Sequence, residues 1–229
     1  MKSRIRVAIM EDHQSIIDGY VYRLSENTNI DIVGMGAYGE EIEPMLKINP
    51  ADVLLLDINL PTSTSNPNPF PVLYVIPRLL EQHTQLSILI ISMLTQRTLV
   101  ESMVNIGVSG YIFKDDQASI QQLAKVVTIV ANGGIYFSKN AYTEIRGKSS
   151  DPLLTPRQLE VLSLCAAYPD ISTSVLAEKL DIASSTLRNL LSGVYLRLGV
   201  RTRAAAIVKA QYMNLLPRSP HLSFKKTKV

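Results

Sequence analysis

The run Val53-Leu54-Leu55-Leu56 stops abruptly at Asp57, and this pattern constrains the fold more than any other stretch of the chain. An apolar run so short, bounded by turn-forming residues, suits a strand buried on both faces, as in a parallel sheet. Three other runs have the same shape. Val7-Ala8-Ile9-Met10 leads into Glu11 and Asp12, Ile88-Leu89-Ile90-Ile91 into Ser92, and Tyr111-Ile112-Phe113 into Lys114. In open α/β sheets, ligands and chemistry gather beyond the carboxyl ends of the strands. Four strand ends therefore aim carboxylates, a hydroxyl and an ammonium at one place.

Strand-like segments near 5–10, 30–35, 52–57, 87–92 and 109–113 alternate with helical patterns near 14–25, 39–48, 71–82, 96–105 and 117–132. Five such units predict a five-stranded, parallel, doubly wound domain over residues 1–135. Residues 61–69 read Pro-Thr-Ser-Thr-Ser-Asn-Pro-Asn-Pro, a polar proline-rich loop expected to be mobile and solvent-exposed. Residues 136–152 lose periodicity and are expected to be a linker. A small all-α domain is expected over 153–216, with helices starting near Pro156 and spanning about 173–180, 184–198 and 202–214. Thr155, Pro156 and Gln158 supply the cap, first-turn proline and capping box of the first. Residues 217–229 form a basic tail expected to be disordered.

Charge separates the two parts. The net +3 of the chain is −3 over residues 1–150 and +6 over 151–229, so an anionic partner such as nucleic acid is expected for the second part alone. No run of about 18 apolar residues is present to span a bilayer, and a cytoplasmic location is expected. The single cysteine, Cys165, falls within a helical apolar pattern and is expected to be a reduced core residue; it excludes a disulfide framework or a zinc site.

Adjacent carboxylates at strand ends repel one another, and a hard divalent cation with oxygen ligands relieves that repulsion. Mg2+ fits, with Glu11, Asp12 and Asp57 as candidate ligands. With the charge offset, Asp57 is suited to attack a phosphoryl donor and form an acyl phosphate, Lys114 to neutralise a phosphoryl oxygen and Ser92 to hydrogen-bond another. Taken together, these residues resemble the receiver domains of two-component response regulators, over roughly residues 4–132. The resemblance implies a flavodoxin-like fold, phosphorylation of Asp57 by a sensor histidine kinase, and the backbone carbonyl of Asn59 as a further metal ligand. It also implies a switching role for Ser92 and Tyr111, although an aromatic residue in a strand serves equally as core. Two departures bear on access to Asp57: the loop after Pro61 is longer than in typical receivers, and Met93 stands where a small residue is common.

In the basic part, the short turn Asp181-Ile182-Ala183 between two helical patterns makes a helix-turn-helix, whose second helix can enter the major groove by its N-terminal residues. Those are Ser184, Ser185, Arg188 and Asn189; the serines serve equally as caps, arginine can pair with guanine and asparagine with adenine. Residues 154–216 resemble a LuxR-type DNA-binding domain, and the order of the two domains resembles the NarL/FixJ class of transcriptional response regulators. The resemblance implies backbone contacts from Arg188, Arg197 and Arg201, and pairing of two copies through the receiver surface and the last helix. Ala183 stands where a serine usually caps the recognition helix, and Gln158 and Leu190 also depart from the family pattern. The expected function is phosphorylation-controlled binding of promoter DNA by a homodimer, without enzymatic turnover. Two rivals follow from the same residues: a DNA-binding regulator whose degenerate receiver serves only dimerisation, and an Mg2+-dependent phosphohydrolase. The second is weakened by Asn59, which stands where such enzymes carry a second acid.

Overall fold

A computed structural model of the chain describes residues 4–146 and 153–218. Part of the expected linker and nearly all of the expected tail lie outside the described residues. Strands β1 (Ile5–Met10), β2 (Ile30–Gly36), β3 (Val53–Leu56), β4 (Ser87–Ser92), β5 (Gly110–Phe113) and β6 (Tyr136–Phe137) form one parallel sheet in the order β2-β1-β3-β4-β5-β6. The connecting helices are α1 (Gln14–Ser25), α2 (Ile42–Ile48), α3 (Val72–Gln82), α4 (Arg97–Asn105), α5 (Gln117–Gln121) and α6 (Leu123–Ala131).

The strands alternate their side chains between two cores, as a period of two requires. Met10, Leu54, Leu56, Ile88, Ile90 and Tyr111 lie with α2, α3 and α4 on one side. Val7, Ile9, Leu55, Leu89, Ile91 and Ile112 lie with α1 and α6 on the other. Burial on both faces explains why these runs carry no alternation of polar residues. The chain steps outward from β1 to β2 and then returns across β1 to β3, so the direction of winding reverses between β1 and β3. That switch point sets Glu11, Asp12 and Asp57 side by side.

Among the described residues six strands form where five were expected. The sixth has two residues, too few to show a period, and is tied to the sheet edge by Tyr136 N–H to Ser109 O at 3.0 Å and Ser138 N–H to Tyr111 O at 3.0 Å. The expected linker also contains a helix, α7 (Lys139–Arg146), packed against α4 and β5. Ala141 is its one buried residue, so the segment carries little apolar periodicity. The helix expected over 117–132 breaks at Gln122 into α5 and α6. The start of the 39–48 segment is a 3-10 turn, Gly39–Glu41.

The loop expected at 61–69 is a closed hairpin, exposed at Thr64, Ser65 and Pro67 as expected but buried at its base. Pro61 and Pro69 pair antiparallel, and the fully buried Thr62 donates to Asn68 O from both its N–H at 2.8 Å and its hydroxyl at 2.9 Å. Gly39 N–H to Pro61 O and Glu40 N–H to Thr62 O fasten it to the 3-10 turn, at 2.9 and 3.0 Å. Proline cannot donate, and Pro61 serves as an acceptor, for the Gly39 N–H.

The C-terminal part is helical: α8 (Pro156–Ala167), α9 (Thr173–Lys179), α10 (Ser184–Leu198) and α11 (Arg203–Tyr212). The capping box at α8 forms, with Gln158 N–H to Thr155 Oγ1 at 3.2 Å and Thr155 N–H to Gln158 Oε1 at 3.0 Å. Val161, Leu164, Cys165, Leu176, Leu180, Leu187 and Leu191 make its core. Burial pushes the Cys165 thiol up to about 11. Gly193, unfavourable within α10 on propensity, lies where a Cβ would sit 2.7 Å from the Gln158 amide nitrogen, the end of the side chain that completes the α8 capping box. No helix among the described residues is long and apolar enough to cross a membrane.

The Ala183 backbone holds the extended geometry of a helix cap, φ −63° and ψ 145°, but offers no side-chain acceptor to α10. Ala183→Ser therefore raises stability by about 1 kcal/mol, read as a shifted midpoint in urea with an unchanged slope.

Candidate functional site

The carboxyl ends of β1, β3 and β5 bring three charges into one buried cluster. The Lys114 ammonium bonds Glu11 Oε2 at 2.6 Å and Asp57 Oδ2 at 2.7 Å. Glu11 and Asp57 are 1% and 3% exposed. The Asn59 N–H donates to Asp57 Oδ1 at 3.1 Å, and the Asp57 N–H to Met10 O at 2.9 Å holds β3 in line with β1 beyond the last strand residue. Asp12 stands at the rim. His13 Nδ1 lies 2.7 Å from Asp12 Oδ1 and 3.2 Å from Glu11 Oε1. His13 occupies the cap position of α1 without capping it through its side chain.

The electrostatics follow from burial. Burial raises the pKa of Asp57 in spite of Lys114, and burial together with the charge of Asp57 raises that of Glu11. Burial disfavours the Lys114 ammonium, yet Asp57 and Glu11 outweigh it and raise its pKa. Three carboxylates, Glu11, Asp12 and Asp57, thus stand around one lysine with His13 at the rim, and their oxygen donors suit a hard divalent cation. Lys114→Met leaves Glu11 and Asp57 facing each other without a counter-charge. The expected loss is about 3 kcal/mol in urea titrations with EDTA; a loss near zero would show that Lys114 does not hold this cluster together.

Ser92 and Tyr111 lie behind the carboxylates. Ser92 is fully buried at the end of β4, and its Oγ accepts the Leu94 N–H at 3.1 Å. Tyr111 is also fully buried and donates its hydroxyl to Leu94 O at 2.7 Å, so both residues fasten the segment leaving β4. Met93, between them in sequence with Leu94, is 59% exposed. The 61–69 hairpin lines a cleft of about 210 Å³ beside the acidic cluster, together with Asp12, Ala37 and Tyr38.

In the helical part, α10 presents Ser185, Arg188, Asn189 and Ser192 to solvent at spacings of three and four, one face of the helix. Ser184 is half-buried at its first turn. Arg197, near the other end, donates to Leu153 O at 3.4 Å, and Arg201 is exposed in the turn before α11. The N-terminal half of α10 is thus open, while Leu187, Leu191 and Val194 bury the opposite face.

A family model of the response regulator receiver domain matches residues 7–127, more than half of the chain. The chain belongs to the response regulator family. A second model, of bacterial regulatory proteins of the luxR family, matches residues 152–210 of the regulator. The regulator is 29% identical over 211 residues to the transcriptional regulatory protein MctR of Rhizobium johnstonii, covering 90% of this chain and 92% of that one. It is 28% identical over 219 residues to the probable transcriptional regulatory protein NarL of Mycobacterium tuberculosis, covering 93% and 96%. Among solved structures, RcsB of Salmonella enterica serovar Typhimurium, bound to promoter rprA with phosphomimetic BeF3−, superimposes with a TM-score of 0.65 at 19% identity over 90% of this chain and 98% of that one. The regulator thus joins a receiver of flavodoxin-like topology to a LuxR-type helix-turn-helix module.

Asp57, Glu11, Asp12, Asn59, Ser92, Tyr111 and Lys114 of the regulator, assembled from four separate stretches, gather toward one end of the sheet. Ser192 was not singled out by the sequence, although its spacing from Arg188 is the signal that places it on the same face. Asn66, Tyr74 and Arg78, which join the two domains, had no such signal. Their contacts run to backbone carbonyls about a hundred residues away.

Proposed function

We propose that Asp57 of the regulator accepts a phosphoryl group from a sensor histidine kinase, and that this modification changes how α10 binds promoter DNA in the cytoplasm. The observation that carries this reading is the buried Asp57 carboxylate, held between Lys114 and the Asn59 N–H at the switch point, with Glu11 and Asp12 beside it. An Asp57 oxygen attacks phosphorus, the phosphorus–nitrogen bond of the donor histidine breaks, and the electron pair returns to the imidazole. Mg2+ bound by Glu11, Asp12, Asp57 and the Asn59 carbonyl would neutralise charge at this site. Lys114 pairs with a phosphoryl oxygen, and the Ser92 hydroxyl, whose Oγ accepts from Leu94, turns to donate to another. Tyr111, already inward and bonded to Leu94 O, would transmit any shift of that segment to β5.

On DNA, Ser184, Ser185, Arg188 and Asn189 read bases or cap α10, and Arg197 and Arg201 hold phosphates. A homodimer is supported by the exposed apolar residues Val208 and Tyr212 on α11, 65% and 79% accessible, and by a similar structure described as two RcsB dimers bound to two parallel DNAs. The regulator so described is a switch used stoichiometrically rather than a turnover catalyst. The test is binding to a DNA duplex selected from a random library, titrated with salt, with and without acetyl phosphate and Mg2+. The reading requires an affinity change that tracks phosphoryl mass on Asp57. Equal affinity of fully phosphorylated and unmodified protein would overturn it.

A further inference from the structure

We infer that the 61–69 hairpin and α3 form a latch that fixes the pose of the DNA-binding module by capping the C-terminal ends of α8 and α9, leaving α10 uncovered. The last carbonyls of a helix have no partner within the helix and carry its negative pole. Ala167 is the last residue of α8, and its carbonyl accepts the Asn66 side-chain N–H at 3.0 Å from the hairpin tip. Lys179 is the last residue of α9, and its carbonyl accepts the Tyr74 hydroxyl at 2.7 Å and an Arg78 N–H at 3.4 Å. Two helices of one domain are thus finished by side chains of the other.

Each capping group is itself held. Asn66 Oδ1 accepts from the Asn68 N–H at 3.2 Å and its side-chain amide at 2.9 Å, which turns the Asn66 amide nitrogen outward. The Arg78 guanidinium stacks 3.7 Å from the centre of the Tyr74 ring and donates to Tyr74 O at 2.7 Å. Tyr74 packs against the apolar core of the helix-turn-helix module, and α3 packs along α8. Apolar contact alone permits sliding; hydrogen bonds to two fixed carbonyls do not.

The latch grips the module beside its hinge of function. Lys179 lies immediately before the Leu180–Ala183 turn that leads into α10, and in a helix-turn-helix the first helix crosses the DNA backbone. Ser185, Arg188 and Asn189 nonetheless remain exposed, so the receiver controls where the reading helix points without covering it. For a dimer this suffices, because two reading helices must be about one DNA turn apart to bind together. The lever runs to Asp57. The hairpin starts at Pro61, its base is joined by the Phe70 N–H to Leu60 O bond at 2.8 Å, and Asn59 N–H reports directly on Asp57 Oδ1.

The experiment measures the distance between spin labels at Glu26→Cys and Lys209→Cys in the full-length protein, without DNA; native Cys165 is buried and stays unlabelled. The unmodified protein gives one narrow distance. Asn66→Ala with Tyr74→Phe, which keeps the ring packing, shifts the docked-to-undocked ratio about tenfold and broadens the distribution. An unchanged distribution would overturn the latch. The coupling to Asp57 rests on the proposed phosphorylation and is read separately: phosphodonor broadens the wild-type distance and not that of Asp57→Asn. If mass measurement finds Asp57 phosphorylated and the distance stays narrow, the lever is wrong. If no phosphoryl mass appears, the phosphorylation reading fails, and the double variant still decides the latch.

Discussion

Asp57→Asn protein takes up no phosphoryl group from acetyl phosphate and Mg2+, whereas the wild type gains one per chain by intact-mass measurement. The substitution removes the nucleophile and, with it, the bond from Lys114 to Asp57 Oδ2. An amide has nearly the shape of the carboxylate, its oxygen still accepts the Asn59 N–H, and Lys114 keeps its 2.6 Å bond to Glu11. Burial makes the Asp57 charge unfavourable, as its raised pKa shows, so a neutral amide there does not destabilise the fold. Stability within about 1 kcal/mol of wild type is therefore expected alongside complete loss of acceptor function. The contrast with Lys114→Met, which costs stability because it strands two carboxylates, separates chemistry from scaffolding. Uptake by Asp57→Asn equal to wild type would move the acceptor to Asp12 or Glu11 and sink the assignment.

The sheet and the acidic cluster were legible because both are encoded locally. A strand buried on both faces is written as four or five consecutive apolar residues, and the residue that ends the run is the one the topology places at the functional edge. Asp57, Ser92 and Lys114 could be read in this way without knowing how the strands were ordered. Two kinds of feature were not legible. β6 is too short, and α7 buries too few residues, to rise above the background of periodicity. The 61–69 hairpin hides for a different reason: its polar, proline-rich composition is that of an open loop, and what closes it is a set of backbone carbonyls, which every residue possesses. Cross-domain caps such as Tyr74 on Lys179 share this property, since the acceptor carries no side-chain signature at all. Sequence reading is therefore strongest where chemistry resides in side chains at strand ends, and weakest where the fold recruits the main chain.

Arg188→Ala lowers affinity for the regulator's selected DNA site by about 10- to 100-fold, the equivalent of about 1–3 kcal/mol for one bidentate base contact. Arg188 is exposed on the second turn of α10, one turn beyond Ser184, on the face shared with Ser185, Asn189 and Ser192, and no hydrogen bond to the protein would be lost with its side chain among those described. The fold is thus expected to survive, and the loss is one of recognition. Its signature is a fall in the ratio of specific to non-specific affinity, with preference relaxed at one base pair. Arg201→Ala serves as the contrast. Arg201 is exposed in the turn before α11, suited to a phosphate, so its loss weakens all sequences about equally and reduces the slope of log affinity against log salt by about one. The two variants need only filter binding at several salt concentrations on selected and scrambled duplexes. If Arg188→Ala weakens both duplexes alike and lowers the salt slope instead, Arg188 holds the backbone, and base reading falls to Ser185, Asn189 and Ser192. If neither arginine matters, the open face of α10 is not the DNA-binding surface.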